Sequence, residues 1–318
     1  MEATPAFLTG HGLPFSGVVT FNRAECTQDL EGADLVVLGV PFDAGAVNRP
    51  GARFGPHAIR QQSNYASALV PIYPWTEDLA ETCRIVDYGD VAPVPGSGAV
   101  ESMLAMTQAA AADVFDHGAS LLSLGGDHTL PYGPIRAAAE AHGKLALIHL
   151  DSHQDSLDNE ALPGPTMINH GTFATDLVRE ERIDPSRSVQ VYLRTWMDNP
   201  GGYTLVHAEE ALDLGADGLA TKVRELVGDA TVYISLDLDA VVPAHAPGVG
   251  TPAPGGPSSR EVRRFLRGLD GLDIVAADIV ELNPPYDPSQ TTAILAAFFS
   301  FDLLHLMANA RRRRRAAT

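Results

Sequence analysis

One stretch near the middle of the chain confines the fold more than any other: residues 145–155, Leu-Ala-Leu-Ile-His-Leu-Asp-Ser-His-Gln-Asp. Leu145, Leu147, Ile148 and Leu150 make an almost continuous apolar run, the pattern of a parallel strand covered on both faces. Asp151, His153 and Asp155 follow at alternate positions, and in an extended segment residues two apart project to the same side. Two carboxylates and an imidazole therefore converge at the C-terminal end of a buried strand, the edge where open α/β sheets hold their ligands. Alone, the triplet suits a solvated turn as well as a metal ion, so it needs partners from elsewhere.

Further strands and helices alternate along the chain. Residues 34–40 read as a buried strand ended by Pro41, and 84–88 as a second. Between them, Asn48-Arg49-Pro50-Gly51-Ala52-Arg53-Phe54-Gly55-Pro56 is a rigid loop feeding a helix at about Pro56. Residues 100–117 form an amphipathic helix closed by Gly118, and 119–124 a strand running into Gly125-Gly126-Asp127-His128. A helix over 131–142, stopped by Gly143, leads back to the central stretch. After a polar loop containing Asn169-His170-Gly171-Thr172, strands are expected at 189–193, 204–207 and 231–236, with a helix at about 219–227. The last of these strands runs into Ser235-Leu236-Asp237-Leu238-Asp239, a second pair of alternate carboxylates. Ser258 and Glu261 form a capping box, 273–280 is a strand ending at Glu281, and 290–307 is an apolar helix. About eight strands alternating with helices predict a mostly parallel sheet wrapped on both faces, an α/β three-layer sandwich.

Composition narrows the function. A formal charge of −18 over 318 residues excludes an ordinary nucleic-acid binder and favours cationic small molecules. No uncharged apolar run is long enough to cross a bilayer and no signal peptide is evident, so no membrane partner is expected and the cytoplasm is the expected compartment. Cys26 and Cys83 suit a reduced compartment and supply no disulfide or zinc framework. Residues 1–310 are expected to form a single domain, and 311–318, with Arg311 to Arg315, a solvated, disordered basic tail.

Four strand ends together supply His128; Asp151, His153 and Asp155; Asp237 and Asp239; and Glu281. Singly, His128 reads equally as a core histidine, and Glu281 reads, less readily, as a turn cap; their convergence argues for a metal centre. Two imidazoles and several aspartates suit divalent ions such as Mn²⁺, and so many negative charges are balanced by two ions, not one. Such a pair can share a hydroxide whose pKa has fallen towards neutrality.

At these segments the chain resembles the ureohydrolases, the arginase and agmatinase family, and most closely the bacterial agmatinases. The resemblance runs through Asn48 to Arg60, Gly125 to His128, Asp151 to Asp155, His170-Gly171-Thr172, Ser235 to Gly256 and Glu281 to Pro284. It implies an arginase-like fold and two Mn²⁺ per subunit. One ion is implied on His128, Asp151, Asp155 and Asp237, the other on His153, Asp151, Asp237 and Asp239, with Asp151 and Asp237 bridging. His170 falls at the family's proton-shuttling histidine, and Glu281 at its guanidinium-binding carboxylate. Asp155 would orient the attacking hydroxide, and Asn48, Arg49, Arg53 and Asn159 are candidates for the far end of the substrate. The implied reaction is hydrolysis of agmatine to putrescine and urea. The alternatives are a hydrolase of 4-guanidinobutyrate, 3-guanidinopropionate or another guanidino compound and, in a different class, a single-zinc deacetylase of acetylated amines. A homo-oligomer, trimer or hexamer, is expected by the same resemblance. The chain departs from the family pattern at Val242, where an aspartate is usual, at Tyr192, where a glycine is, and at Ser152, where alanine is commoner.

Overall fold

A computed structural model of the chain describes residues 13, 15–91, 93, 96–161 and 167–317. Its strands are β1 (Glu25–Cys26), β2 (Leu35–Val40), β3 (Ile85–Asp90), β4 (Ser120–Gly125), β5 (Ala146–Leu150), β6 (Val189–Leu193), β7 (Thr204–His207), β8 (Thr231–Asp237) and β9 (Asp273–Val280). Its helices are α1 (Gly55–Ala66), α2 (Leu79–Thr82), α3 (Ala99–Asp116), α4 (Tyr132–His142), α5 (Phe173–Arg179), α6 (Ala208–Val227), α7 (Ser259–Gly268) and α8 (Thr291–Ala317). The strands form one sheet in the order β1-β3-β2-β4-β9-β8-β5-β6-β7, and every pairing is parallel.

The apolar runs predicted as strands are buried along their length in β2, β4, β5 and β6 because helices cover both faces. Two separate clusters of buried side chains, one on each face, fill the layers between sheet and helices. The sheet has nine strands where about eight were expected; the extra one, β1, is two exposed residues at the edge, too short and polar to leave a sequence pattern. The capping box at Ser258 and Glu261 is present at the start of α7.

The C-terminal residues correct an expectation. Arg311 to Arg315 do not form a disordered tail but continue α8, and each finds an acid: Arg311 and Arg315 pair with Asp34, Arg312 with Glu77, Arg313 with Asp270 and Arg314 with Asp273. Residues 1–12, within the expected domain, and Thr318 lie outside the described residues. Length and composition would let α8 cross a bilayer, but 78% of its apolar window is buried inside the fold, as in a core helix.

Sheet order is what assembles the centre. The four strands whose ends carry the predicted ligands, β4, β9, β8 and β5, are consecutive neighbours in the middle of the sheet. Segments far apart in sequence therefore end side by side on one edge.

Candidate metal centre

The Asp-x-His-x-Asp segment leaves β5 and its side chains gather as predicted. His128 Nδ1 lies 2.9 Å from Asp155 Oδ2, 3.1 Å from Asp151 Oδ2 and 3.3 Å from Asp237 Oδ2. Beside this group, Asp151 turns its other oxygen, Oδ1, to within 3.4 Å of His153 Nδ1, which is 3.1 Å from Asp239 Oδ2. Asp151 thus belongs to two adjacent groups. Asp237 joins the first through Oδ2, while its Oδ1 accepts the Asp239 N–H at 2.7 Å.

The donor set fits metal ions. His128 Nδ1 is buried with no hydrogen-bond donor or acceptor satisfied, yet faces three carboxylates. Nitrogen and oxygen atoms about 3 Å apart are spaced as ligands of one small divalent ion. The electrostatics agree. Burial pushes up the pKa of Asp237 and Asp239, and the neighbouring aspartates push it further. Burial acts the same way on Asp151, but His128, His149 and His153 outweigh it and hold that carboxylate ionised. Nearly all of these groups are sealed from water; a cluster of buried like charges is stable only with cations among them.

A polar layer under the ligands was not anticipated. In register across the sheet, Ser123, Asp278, Ser235, His149 and Gln190 stand side by side on β4, β9, β8, β5 and β6. Ser235 donates its hydroxyl to Asp278 Oδ1 at 2.8 Å, and Tyr233 donates to Asp278 Oδ2 at 2.8 Å. Ser235 Oγ is then the acceptor for His128 Nε2–H, 2.8 Å away, which keeps Nδ1, the atom that would bind an ion, turned towards the aspartates. Gln190 Nε2 donates to His149 Nδ1, so His149 turns Nε2–H towards Asp151 Oδ2 at 2.9 Å and braces that ligand. The signal was present in the sequence as a single polar residue inside each apolar strand, but its meaning depends on strand order.

Ser152, read as a mild departure, donates its N–H (3.1 Å) and hydroxyl (2.6 Å) to Asp239 Oδ1, and Thr251 donates to Oδ2 at 3.0 Å. Val242 sits in a turn, its N–H bound to the Pro257 carbonyl. Tyr192 has φ 72°, a left-handed conformation in which glycine is the unstrained choice. Asp155 and Glu281 also have positive φ, 46° and 65°, a conformation that concentrates at functional sites.

Glu281 and His170 come together at the edge of the first group. Glu281 Oε1 accepts the His128 N–H at 3.0 Å and lies 3.0 Å from His170 Nδ1. Its Oε2 faces Gly250, where an added Cβ would stand 3.1 Å away. Burial opposes a charge on His170, yet Glu281 overrides it and draws the imidazole up to about 9. In the structure Nε2 accepts the Val47 N–H at 3.2 Å, which a doubly protonated ring cannot do, so charging Nε2 requires Val47 to move aside. Asp127, next to His128, is pushed up to about 6 by burial and by Glu281.

The candidates for the far end of a substrate are mostly engaged within the protein. Asn48 donates to the Gly250 carbonyl at 2.9 Å, Arg53 pairs with Asp43, and Asn159 donates to Asp176 at 2.7 Å, leaving its buried Oδ1 unpaired. Arg49 stacks over Tyr286 at 4.7 Å and has no acidic partner among the described residues. Part of the 158–169 loop, residues 162–166, lies outside the described residues.

A parallel sheet bearing two conjoined His/Asp groups on its C-terminal edge defines a metal-site enzyme of the α/β class. Residues 33–305 match the arginase family model. The agmatinase of Chromobacterium violaceum is 40% identical over 93% of this chain and 90% of its own length, and that of Serratia proteamaculans 39% identical over 87% and 88%. A hypothetical agmatinase from Burkholderia thailandensis superposes with a TM-score of 0.88 at 38% identity, over 96% of this chain and 94% of that one. The proclavaminate amidino hydrolase of Streptomyces clavuligerus superposes with a TM-score of 0.85, also at 38% identity, over 94% and 99%. The chain belongs to the arginase family, whose members hydrolyse C–N bonds and depend on a pair of metal ions.

Proposed function

We propose that the chain is a manganese-dependent agmatinase, hydrolysing agmatine to putrescine and urea. The observation that carries this reading is the pair of ligand groups sharing Asp151, with Glu281 and His170 beside them, in a chain aligned along most of its length with agmatinases. His128 and Asp155 would hold one ion, His153 and Asp239 the other, and Asp151 and Asp237 both. When bound, the two ions would make water acidic enough to serve as a nucleophile at neutral pH and would polarise the carbon under attack.

The chain's own groups supply the rest. A guanidinium stays protonated at physiological pH and needs an anion to approach a cationic centre. Glu281 Oε2, whose partner oxygen is already held by two donors, is suited to that task. Asp155, beside His128, would orient the attacking group. His170, its pKa raised by Glu281, would carry the proton that the departing amine requires, once the Val47 N–H has released Nε2. The overall charge of −18 favours a doubly cationic substrate over a zwitterion.

A second reading is a hydrolase for a guanidino acid. Arg49, without an acidic partner among the described residues, would meet a substrate carboxylate, and the likeness to the proclavaminate amidino hydrolase matches that to the agmatinase structure in identity. A single-ion deacetylase of acetylated amines has less support, because it would not need His128, Asp155 and Asp239 together. A homo-oligomer and a cytoplasmic location belong to the same proposal.

Purified protein loaded with Mn²⁺ and offered agmatine, 4-guanidinobutyrate, 3-guanidinopropionate and arginine side by side, with urea as readout, separates these readings. The expected result is a kcat/KM for agmatine at least about 100-fold above the others, equivalent to roughly 2.7 kcal/mol of discrimination, and no urea from Asp151→Asn. Preference for a guanidino acid would displace the first reading; urea from none would displace both.

A further inference from the structure

We infer that Arg194 is a positioning residue for the second ligand group, Asp151, His153 and Asp239, and that it acts by gripping main-chain carbonyls. The inference rests on the two-metal reading above.

The local chain explains how Arg194 reaches its place. The pairing of β6 with β7 slips between Val191 and Leu193, and Tyr192, in the gap, takes a left-handed φ of 72°. A bulge of this kind bends the strand and re-aims the residues that follow. Tyr192 is buried with its ring edge-on to Phe265, 5.8 Å between centroids, and this packing holds a side chain where glycine would be unstrained.

Beyond the bulge, Arg194 makes contacts of an unusual kind. Nη1 donates to the carbonyls of Tyr192 (3.0 Å) and Ala240 (2.9 Å), and Nη2 to those of Asp239 (2.6 Å) and Ala253 (3.0 Å). Nε alone is buried without a partner. One guanidinium thus ties the end of β6 to the turn that carries Asp239 and to the loop that follows it. That loop closes only because of Gly256, where a Cβ would stand 2.6 Å from both Arg194 Nη1 and the Ala240 carbonyl.

The backbone beside Arg194 holds the other ligand segment. The Arg194 N–H (2.9 Å), the Thr195 N–H (3.2 Å) and the Thr195 hydroxyl (3.0 Å) all donate to the carbonyl of Ser152. Ser152 lies between Asp151 and His153, and itself donates twice to Asp239. Residues 192–195 therefore fasten both segments of the second group. An arginine that bound an aspartate directly would compete with a metal ion for its oxygens. Arg194 brings a positive charge near the aspartates yet donates to none of their carboxylate oxygens. The first group has separate supports, Ser235 and Asp278 behind His128, so the effect of Arg194 falls chiefly on the second.

Metal-stripped wild type, Arg194→Lys and Arg194→Met are titrated with Mn²⁺ alone, with bound and free ion followed by electron paramagnetic resonance. Wild type is expected to take up two ions. Arg194→Met should keep the first within about threefold and hold the second about 100-fold more weakly; Arg194→Lys, which cannot span four carbonyls, should weaken it about tenfold. Thermal unfolding of the metal-free proteins is run in parallel, and the three should melt together to within a few degrees. Retention of two ions at wild-type affinity in Arg194→Met would overturn the inference. So would equal weakening of both ions with early melting of the metal-free variant, because that is the mark of a merely structural residue. Uptake of a single ion by wild type would instead bring down the two-metal reading on which the inference stands.

Discussion

At the scale of the residue, several of the candidate ligands are positioned by neighbours outside the two groups. His128 illustrates the point: Ser235 accepts its Nε2–H and so keeps Nδ1 turned towards the aspartates. Ser235→Ala should weaken the ion on His128 by about 10- to 100-fold, roughly 1.4–2.7 kcal/mol, while that on His153 changes little; a Mn²⁺ titration of the variant measures it, and unchanged affinity would rule out the relay. The grouping of these side chains was legible because alternation along a strand puts Asp151, His153 and Asp155, and again Asp237 and Asp239, on one side. Ser235, Asp278, His149 and Gln190 were not, since a lone polar residue in an apolar strand gains its partner only from the strand next to it. Arg194 was equally hidden: its partners are carbonyls, which every residue possesses.

At the scale of the element, strands announced themselves and long helices did so only in part. α6 spans Ala208–Val227, but Gly215 breaks its φ/ψ, so only the stretch at about 219–227 carries a clear helical pattern. α5 is two turns long inside a segment that reads as a polar loop. The arginines of α8 were misjudged because a run of like charge is a poor helix end unless acids from other segments meet it, here Asp34, Glu77, Asp270 and Asp273. Burial would raise the Asp34 carboxyl, yet the Arg84 N–H and the guanidinium groups of Arg311 and Arg315 hold it below its ordinary value; Arg312 lowers Glu77 likewise. Depressed acids stabilise the fold above the unfolded carboxylate range, about pH 4, and that contribution is lost as pH falls through the folded values. Arg311→Met with Arg312→Met should therefore melt several degrees below wild type at pH 7, a loss of about 1–2 kcal/mol. The gap should close as the pH is lowered from about 4 towards 3. A gap independent of pH would mean that packing, not charge, holds the end of α8.

At the scale of the whole molecule, the order of strands converts four distant segments into one centre, and the charge of −18 surrounds it with a field that favours cations. Fold class was legible from the alternation of apolar runs and helices; the order β4-β9-β8-β5 at the middle of the sheet was not, although convergence of the candidate ligands required these four strands to be neighbours. If the field steers substrate, raising ionic strength from about 50 to about 500 mM should lower kcat/KM several-fold for agmatine and less for 4-guanidinobutyrate. Equal losses for the two would remove steering from the account. The central claim, that two ions held by shared aspartates make this a guanidino hydrolase, is tested most directly by titrating metal-free protein with Mn²⁺ while urea release from agmatine is recorded. The account predicts that the rate climbs to its plateau at two ions per chain; a plateau at one ion, or two bound ions with no urea, would contradict it.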